Sequence, residues 1–391
     1  MPYTTIDLFS GGGGMSFGFH SHPDFQIQAA VDAQFSKPST RGTSTNCNST
    51  YEANIGIKPT EANLAEITPQ ELSEKIDIFP GQLDVMLACP PCTGFSRAGH
   101  NNLKADDPRN SLMFRVSEFV EFFGPKVVVM ENVKESLTGK YKIHSQKLIS
   151  KLQELGYTVN AEVHMLSQFG LPQNRKRALT IAVAEGFELH TLSEAWEGWE
   201  VDPASVTVRR AISHLPKLEQ GHTDPHDPMH VTPGLTPEVL ARIHAIPHDG
   251  GVWRDIAQDH PELLTNGMRK FVAAGDTTSF SDSYSRMYWD RPSMTIKRES
   301  AHVASGRYSH PEQDRLCSVR EMGILCGFPD THTFVGSVAN KYRHIGDAVA
   351  PLISYQLAHI VAWVLKGEKP VPSQMILPNT SLRPEDIRRI D

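Results

Sequence analysis

The sequence predicts an α/β fold: both ends of the chain build one mostly parallel, doubly wound sheet, and a smaller domain is inserted between them. Two observations carry this expectation. Short apolar runs of strand length alternate with helical patterns as far as about residue 186, and periodic structure returns only near residue 318. Runs that are apolar throughout mark strands buried on both faces, and their alternation with helices is the pattern of a parallel sheet covered on two sides. At 391 residues the chain is also longer than most single domains.

The strand runs are YTTIDLF (3–9), IQAAVD (27–32), LDVMLA (83–88), KVVVMENV (126–133) and ALTIAVAEG (178–186). Leu148, Ile149, Leu152 and Leu155 fall at helical spacing and stop at Gly156, a C-terminal signal. Residues 187–290 are rich in Pro, His, Asp and Trp, a composition boundary that marks the insert. Residues 291–367 return to the main domain, with SVREMGILCGFP (318–329) and an amphipathic helix in GDAVAPLISYQLAHIVAWVLKG (346–367). Residues 368–391 read as a polar tail, and the polar stretch 33–50 as a surface insertion.

Composition narrows the function classes. With 38 basic and 45 acidic residues the net charge is −7, which argues against a general polyanion binder. Distribution matters more: 93–182 carries 13 basic against 8 acidic residues, whereas 183–292 carries 9 against 17. A nucleic-acid face is expected on the first segment. The first residues have neither a basic nor an apolar leader region, and no run near 20 apolar residues occurs, so the protein is read as cytoplasmic, without a membrane partner. Five cysteines without framework spacing fit free thiols in a reducing compartment.

Candidate site residues gather at strand ends. DLFSGGGGMSFGF (7–19) is a glycine-rich turn after the first strand, where Gly11 and Gly13 allow close backbone approach to a ligand and a helix N-terminus offers free amides. Ser16 replaces the third glycine of a dinucleotide fingerprint and no Gly-Lys-Ser/Thr follows, so a nucleoside cofactor without pyrophosphate fits better, the alternative being a tight turn with no ligand. Asp32 ends the second run, suited to ribose hydroxyls or to capping a helix. Glu66 suits an exocyclic amine or a solvated surface.

Cys92 follows Pro90 and Pro91, which fix the turn after the LDVMLA run. A thiol with an ordinary pKa of ~8.5 becomes a nucleophile once ionised. Its rivals are a structural thiol, a redox pair with Cys89, and zinc. No second Cys-x-x-Cys completes a zinc quartet, and Pro225 and Pro228 interrupt His222, His226 and His230, so no metal is expected. Glu131 ends another buried run, where a carboxylate is expensive without a partner or a task. Arg175 and Arg177 share a face if extended, as a solvated pair or as an anion holder.

Together and in this order, these pieces resemble the cytosine-5 DNA methyltransferase family. Asp7 to Gly14 is similar to its cofactor motif, Pro91-Cys92-x-x-Phe95-Ser96 to its catalytic-cysteine motif, Glu131-Asn132-Val133 to its Glu-Asn-Val motif, and Gln173-x-Arg175-x-Arg177 to its Gln-x-Arg-x-Arg motif. Arg320-Glu321 with Gly327-Phe328-Pro329, and Gly346-Asp347-Ala348-Val349, resemble the last two. The resemblance covers 3–186 and about 284–366. It departs at Thr93, where many members have Gln, and at Asp347, where Asn is usual.

The resemblance implies a Rossmann-like, S-adenosyl-L-methionine (SAM)-dependent methyltransferase fold with an inserted target-recognition domain. Residues 1–186 and 291–367 would form the catalytic domain and 187–290 the recognition domain. It implies methylation of carbon 5 of a flipped cytosine in a specific duplex DNA sequence, in a prokaryotic modification or restriction-modification system. Cys92 would be the nucleophile, Glu131 would act at N3, and Arg175 and Arg177 would hold the flipped base and the site geometry. Phe9, Gly11, Gly13, Asp32, Glu66, Ile67, Pro91 and Asp347 would line the SAM pocket. Ser96, Arg97 and Lys104 would lie near phosphates.

The implied partner is double-stranded DNA, which places the enzyme at the nucleoid, with a cognate restriction endonuclease as a further partner of such a system and a monomer as the default state. Because 183–292 is acidic, Arg209, Arg210, Arg254, Arg269 and their neighbours are expected on one face if this segment reads DNA. A tRNA cytosine-5 methyltransferase would use the same chemistry, but the hundred or so residues after Arg177 suit a compact base-pair reader. A catalytically inactive DNA-binding relative would have no need of Cys92, Glu131 or the glycine turn.

Overall fold

The computed structural model describes residues 1–35, 44–91 and 108–390. Seven strands form the central sheet: β1 (Tyr3–Leu8), β2 (Phe25–Asp32), β3 (Thr60–Glu61), β4 (Val85–Ala88), β5 (Val127–Val133), β6 (Thr158–Met165) and, after a two-residue β7 (Gln173–Asn174), β8 (Lys176–Val183). Their order is β3-β2-β1-β4-β5-β8-β6. The first five are mutually parallel, and β8 runs antiparallel to β5 and β6.

The chain steps outward from β1 through β2 to β3, then returns to β4 on the other side of β1. The carboxyl ends of β1 and β4 therefore flank the switch point, where an open α/β sheet has its ligand crevice. Both the glycine turn and Pro90-Pro91 leave the sheet there.

Helices α1 (Gly14–His20), α2 (Cys47–Ile55), α3 (Pro69–Ile76), α4 (Leu112–Phe123), α5 (Glu135–Thr138) and α6 (Ile143–Glu154) belong to this half. One face of the sheet buries Met15 and Phe19 of α1 with Val85, Val127 and Ile181; the other buries Leu72, Met113, Phe119, Leu148 and Leu152 with Ile6, Met86 and Val128. All four residues of β4 are buried, as expected of a central strand covered on both sides. Gly156, at φ 88°, closes the α6 pattern as the sequence predicts.

The second half contains α7 (Leu192–Ala195), β9 (Trp199–Val201), α8 (Val208–Ile212), α9 (Pro237–Ala245), α10 (Asn266–Ala273), β10 (Ser293–Met294), α11 (Val319–Leu325), α12 (Val338–Asp347), α13 (Pro351–Lys366) and β11 (Ile387–Arg389). Val208, Ile243, Met287, Leu316, Phe328 and Ile345 share one apolar cluster, so the core of the irregular region runs well beyond residue 290.

Three expectations are revised. The apolar stretch 346–367 is not one helix: residues 348–350 are extended between α12 and α13, and Pro351 opens α13 at its first turn, where a missing N–H costs nothing. α13 is buried almost all round rather than amphipathic. The wider helical stretch Val338–Lys366 is long and apolar enough for a membrane span, but 72% of its apolar window is buried inside the fold. Finally, residues 372–390 are no loose tail. Met375, Leu377 and Leu382 enter the main core, and β11 pairs antiparallel with β9.

Candidate active site

The glycine turn is built for close approach. Phe9, Gly11 and Gly13 all have positive φ (63°, 53° and 89°), and a Cβ on Gly14 would lie 2.3 Å from the Val349 carbonyl oxygen. The turn is therefore clasped between the ends of β1 and β2 and the segment 344–349. Gly12 lies against His344, whose Nε2 donates to the Thr45 carbonyl at 2.7 Å and whose Nδ1 meets Thr50 Oγ1 at 3.0 Å.

Asp32 stands at the end of β2, half-buried. It accepts from the Gly11 amide at 2.9 Å and the Gln34 amide at 2.6 Å, which fixes the turn onto the sheet. Glu66 lies five residues beyond β3 in an exposed turn, and Ile67 beside it is braced by Arg115, which donates to the Leu64 and Ile67 carbonyls. Asn63 shapes this turn: its Oδ1 accepts from the Ala65 amide at 3.1 Å and its carbonyl accepts from the Glu66 and Ile67 amides.

Beneath the turn lies a buried hydrogen-bond chain. The Tyr51 hydroxyl donates to Ser16 Oγ at 2.7 Å, and Ser16 donates to Asp7 Oδ2 at 2.6 Å. Asp7 is fully buried and its Oδ1 has no hydrogen-bond partner among the described residues. Burial, reinforced by nearby Asp32, raises the Asp7 carboxyl to about 7 despite the Ser16 hydrogen bond.

On the other side of the switch point, Asn132 Nδ2 donates to the Pro90 carbonyl at 3.0 Å, and the Cys89 amide donates to Leu8 O at 3.2 Å. The turn leading to Cys92 is thus tied to both β5 and β1. Pro91 is exposed at the sheet edge; Cys92, Ser96, Arg97 and Lys104 lie outside the described residues. The Cys89 thiol is pushed up by burial, with Asp7 and Glu131 adding to it, so it remains a protonated thiol at neutral pH.

Glu131, one residue before Asn132, forms an ion pair with Arg177 (Nε to Oε1, 2.7 Å), both side chains being about one-tenth exposed. Such a pair holds the carboxyl in one orientation. Arg175 takes a different place. It is buried, donating to the Ile296 carbonyl at 3.1 Å and the Ala348 carbonyl at 2.9 Å. Gln173 completes this knot: its Oε1 accepts from the Ile296 amide and its Nε2 donates to the Leu325 carbonyl at 3.1 Å. Arg175 and Gln173 therefore join β7 to the irregular region, while Arg177 meets the carboxylate.

Asp347 ends α12 and is paired with Arg298. Among the described residues no group of three or more His, Cys, Asp or Glu could hold a metal. His230 instead serves the core, meeting Ser318 Oγ at 2.8 Å and the Pro216 carbonyl at 2.9 Å. Arg209 pairs with Asp290, Arg210 with Glu385, Arg254 donates to the Asp276 and Ser279 carbonyls, and Arg269 to the Glu262 carbonyl. These four are tied to separate partners within the protein.

A nucleoside cofactor fits this crevice: glycines where side chains would clash, helix α1 opening behind them, and a carboxylate at the end of β2. Comparison with known proteins agrees. The chain is 27% identical to the Type II methyltransferase M.AgeI of Thalassovita gelatinovora, covering 91% of this chain and 98% of that protein. It is 30% identical to the Type II methyltransferase M1.HphI of Haemophilus parahaemolyticus, covering 92% and 87%. Its fold matches that of a protein described as a prophage DNA modification methyltransferase of E. coli, with a TM-score of 0.63 at 20% identity, covering 93% and 99%. Residues 3–362 match the C-5 cytosine-specific DNA methylase family, and the chain belongs to that family.

Proposed function

We propose that the protein methylates carbon 5 of a cytosine flipped out of a specific duplex DNA sequence, through a covalent adduct at Cys92, as the modification enzyme of a Type II system. The observation that carries this reading is the meeting of three elements at one switch point. The glycine turn, the Pro90-Pro91 turn tied by Asn132, and the Glu131–Arg177 pair all leave neighbouring strand ends.

SAM, when bound, supplies an electrophilic methyl group. Asp32, Glu66 and Ile67 bind its nucleoside side, Phe9 and the glycine turn lie along the rest of the cofactor, and Pro91 bounds the pocket towards the reacting base. Carbon 5 of cytosine is a poor nucleophile. Addition of the Cys92 thiolate to carbon 6 moves electron density onto carbon 5, and Glu131, oriented by Arg177, donates a hydrogen bond or proton at N3 so that charge does not accumulate on the ring. Once carbon 5 is methylated, removal of its proton expels the thiolate from carbon 6 and restores the aromatic ring. Flipping costs ~a few kcal/mol, regained through contacts in the pocket.

Arg175 and Gln173 keep β7 against residues 293–296 and so fix the floor under Arg177. Residues 187–290 serve as the target-recognition domain, and Ser96, Arg97 and Lys104 contact DNA phosphates from the loop after Cys92. The enzyme acts on nucleoid DNA in the cytoplasm, as a monomer beside a cognate endonuclease.

The test is bisulfite sequencing of DNA from a methylation-deficient bacterial host expressing the wild type or Cys92→Ala. Cytosines protected in one fixed context by the wild type alone support the reading. Complete conversion of wild-type DNA, with folded protein that binds SAM, refutes it.

A further inference from the structure

Residues 293–298 form a strap between the two halves of the site. β10 pairs with β7, the Ser293 amide donates to the Pro172 carbonyl, and the Ile296 amide donates to Gln173. The Lys297 amide donates to the Tyr308 hydroxyl at 3.2 Å. The strap then passes so close to α12 that a Cβ on Gly346 would lie 2.3 Å from the Lys297 carbonyl carbon. Arg298 ends the strap, largely buried, with its Nη1 on the Asp347 carboxylate.

The remaining guanidinium nitrogens, Nε and Nη2, are buried and make no hydrogen bond among the described residues. Among the described residues, Glu299 also comes near it, 3.9 Å from Nε. A buried cation with so few partners is costly. The strap itself does not need it, being anchored at Ser293, Ile296 and Lys297. The Arg298–Asp347 pair therefore calls for a task of its own.

Its position supplies one. On the reading above, Asp32 and Glu66 draw the nucleoside towards β2 and β3, so the opposite, amino-acid end of a bound SAM lies over the glycine turn. There residues 344–349 close down, with His344 on Gly12 and Val349 on Gly14. That end is zwitterionic. A lone aspartate would attract its α-ammonium group and repel its α-carboxylate, whereas an aspartate held by a cation presents an acceptor without a net charge.

We propose that Arg298 is a cofactor-positioning residue: its ion pair holds Asp347 at the amino-acid end of SAM, where Asp347 accepts from the α-ammonium group. This rests on the SAM-binding reading above.

The test is calorimetric titration of the full chain with S-adenosylhomocysteine, which has the amino-acid end, and with 5′-methylthioadenosine, which lacks it. Arg298→Ala is expected to weaken S-adenosylhomocysteine about tenfold and to leave methylthioadenosine within about twofold of wild type. Arg298→Lys, still able to pair, should recover most of the loss. Asp347→Ala should weaken S-adenosylhomocysteine at least as much as Arg298→Ala, and the double variant no more than Asp347→Ala alone. Equal weakening of both ligands by Arg298→Ala would mean a merely structural strap and would overturn the proposal, as would unchanged affinity for both. If the wild type bound neither ligand, the SAM reading itself would fall.

Discussion

The sheet half and the irregular half of this protein spend their charges differently. In the sheet half, ionisable groups stand at strand ends facing the crevice: Asp32 on the glycine turn and Glu131 with Arg177. In the irregular half several arginines are turned inward. Arg315 and Glu321 share two bonds of 2.7 Å while almost completely buried, Arg286 is wholly buried against carbonyl oxygens and Asp314, and Arg320 grips Asp227. Where strands and helices satisfy the backbone, charge is left over for chemistry. Where regular structure is sparse, arginines satisfy loop carbonyls and fasten the core.

The two glutamates should separate the halves most sharply. Glu131→Gln should lower the methylation rate by on the order of 10²- to 10⁴-fold with little change in melting temperature. Glu321→Gln should do the reverse, costing about 3–5 kcal/mol of stability by stranding the Arg315 cation, as read by denaturant titration. If Glu131→Gln unfolded the protein while Glu321→Gln left it stable, the division of labour would be wrong.

Asp7 sharpens the same contrast, as a buried acid of the sheet half that pairs with no cation among the described residues. Its folded pKa, about 7, is raised above the ordinary carboxylate value, so the folded state holds this proton more tightly than the unfolded chain. Stability is therefore lost as pH rises from about 4 to 7, by up to about 4 kcal/mol, and stays lower above 7. Asp7→Asn should flatten that slope and stabilise the protein at pH 8 more than at pH 5. Parallel pH profiles for the two proteins would contradict it. Glu321 behaves oppositely: its carboxyl is held down to about 2 by Arg315 despite burial, so its contribution is present above the ordinary carboxylate range and fails only in strong acid.

The smallest effect concerns the surface of the irregular half. Arg209→Ala removes an exposed pair with Asp290 and should leave the melting temperature nearly unchanged. It should also leave the salt dependence of DNA affinity unchanged, since this cation is already occupied. A log–log salt slope reduced by about one would instead make Arg209 a phosphate contact.

Much of this was legible in the sequence. Strands buried on both faces announce themselves as unbroken apolar runs, and the β1, β2, β4, β5 and β8 patterns lie close to their observed bounds. β6 is an edge strand whose TVNAEVHM alternates polar and apolar residues, a period-two signal, but it lacks the unbroken apolar run that marks the central strands. The antiparallel direction of β8 is silent. Glu131 was conspicuous as a carboxylate at the end of a valine run, but its pairing with Arg177 rather than Arg175 depends on register: Arg177 lies opposite Val133 in β8, and Arg175 falls in the break before it. The closing of the C-terminal segment against β9 and the Arg298–Asp347 contact join residues tens to hundreds of positions apart, which no local pattern encodes.

The central claim is that Cys92 attacks the flipped cytosine. It is tested most directly on a duplex carrying the methylated context with 5-fluorocytosine at the target, incubated with the full chain and SAM. Fluorine leaves no proton for carbon 5 to lose, so the thiolate cannot depart. The expected product is a stable protein–DNA adduct whose peptide mass maps to Cys92, absent with Cys92→Ala. No adduct, or one at another residue, would contradict it.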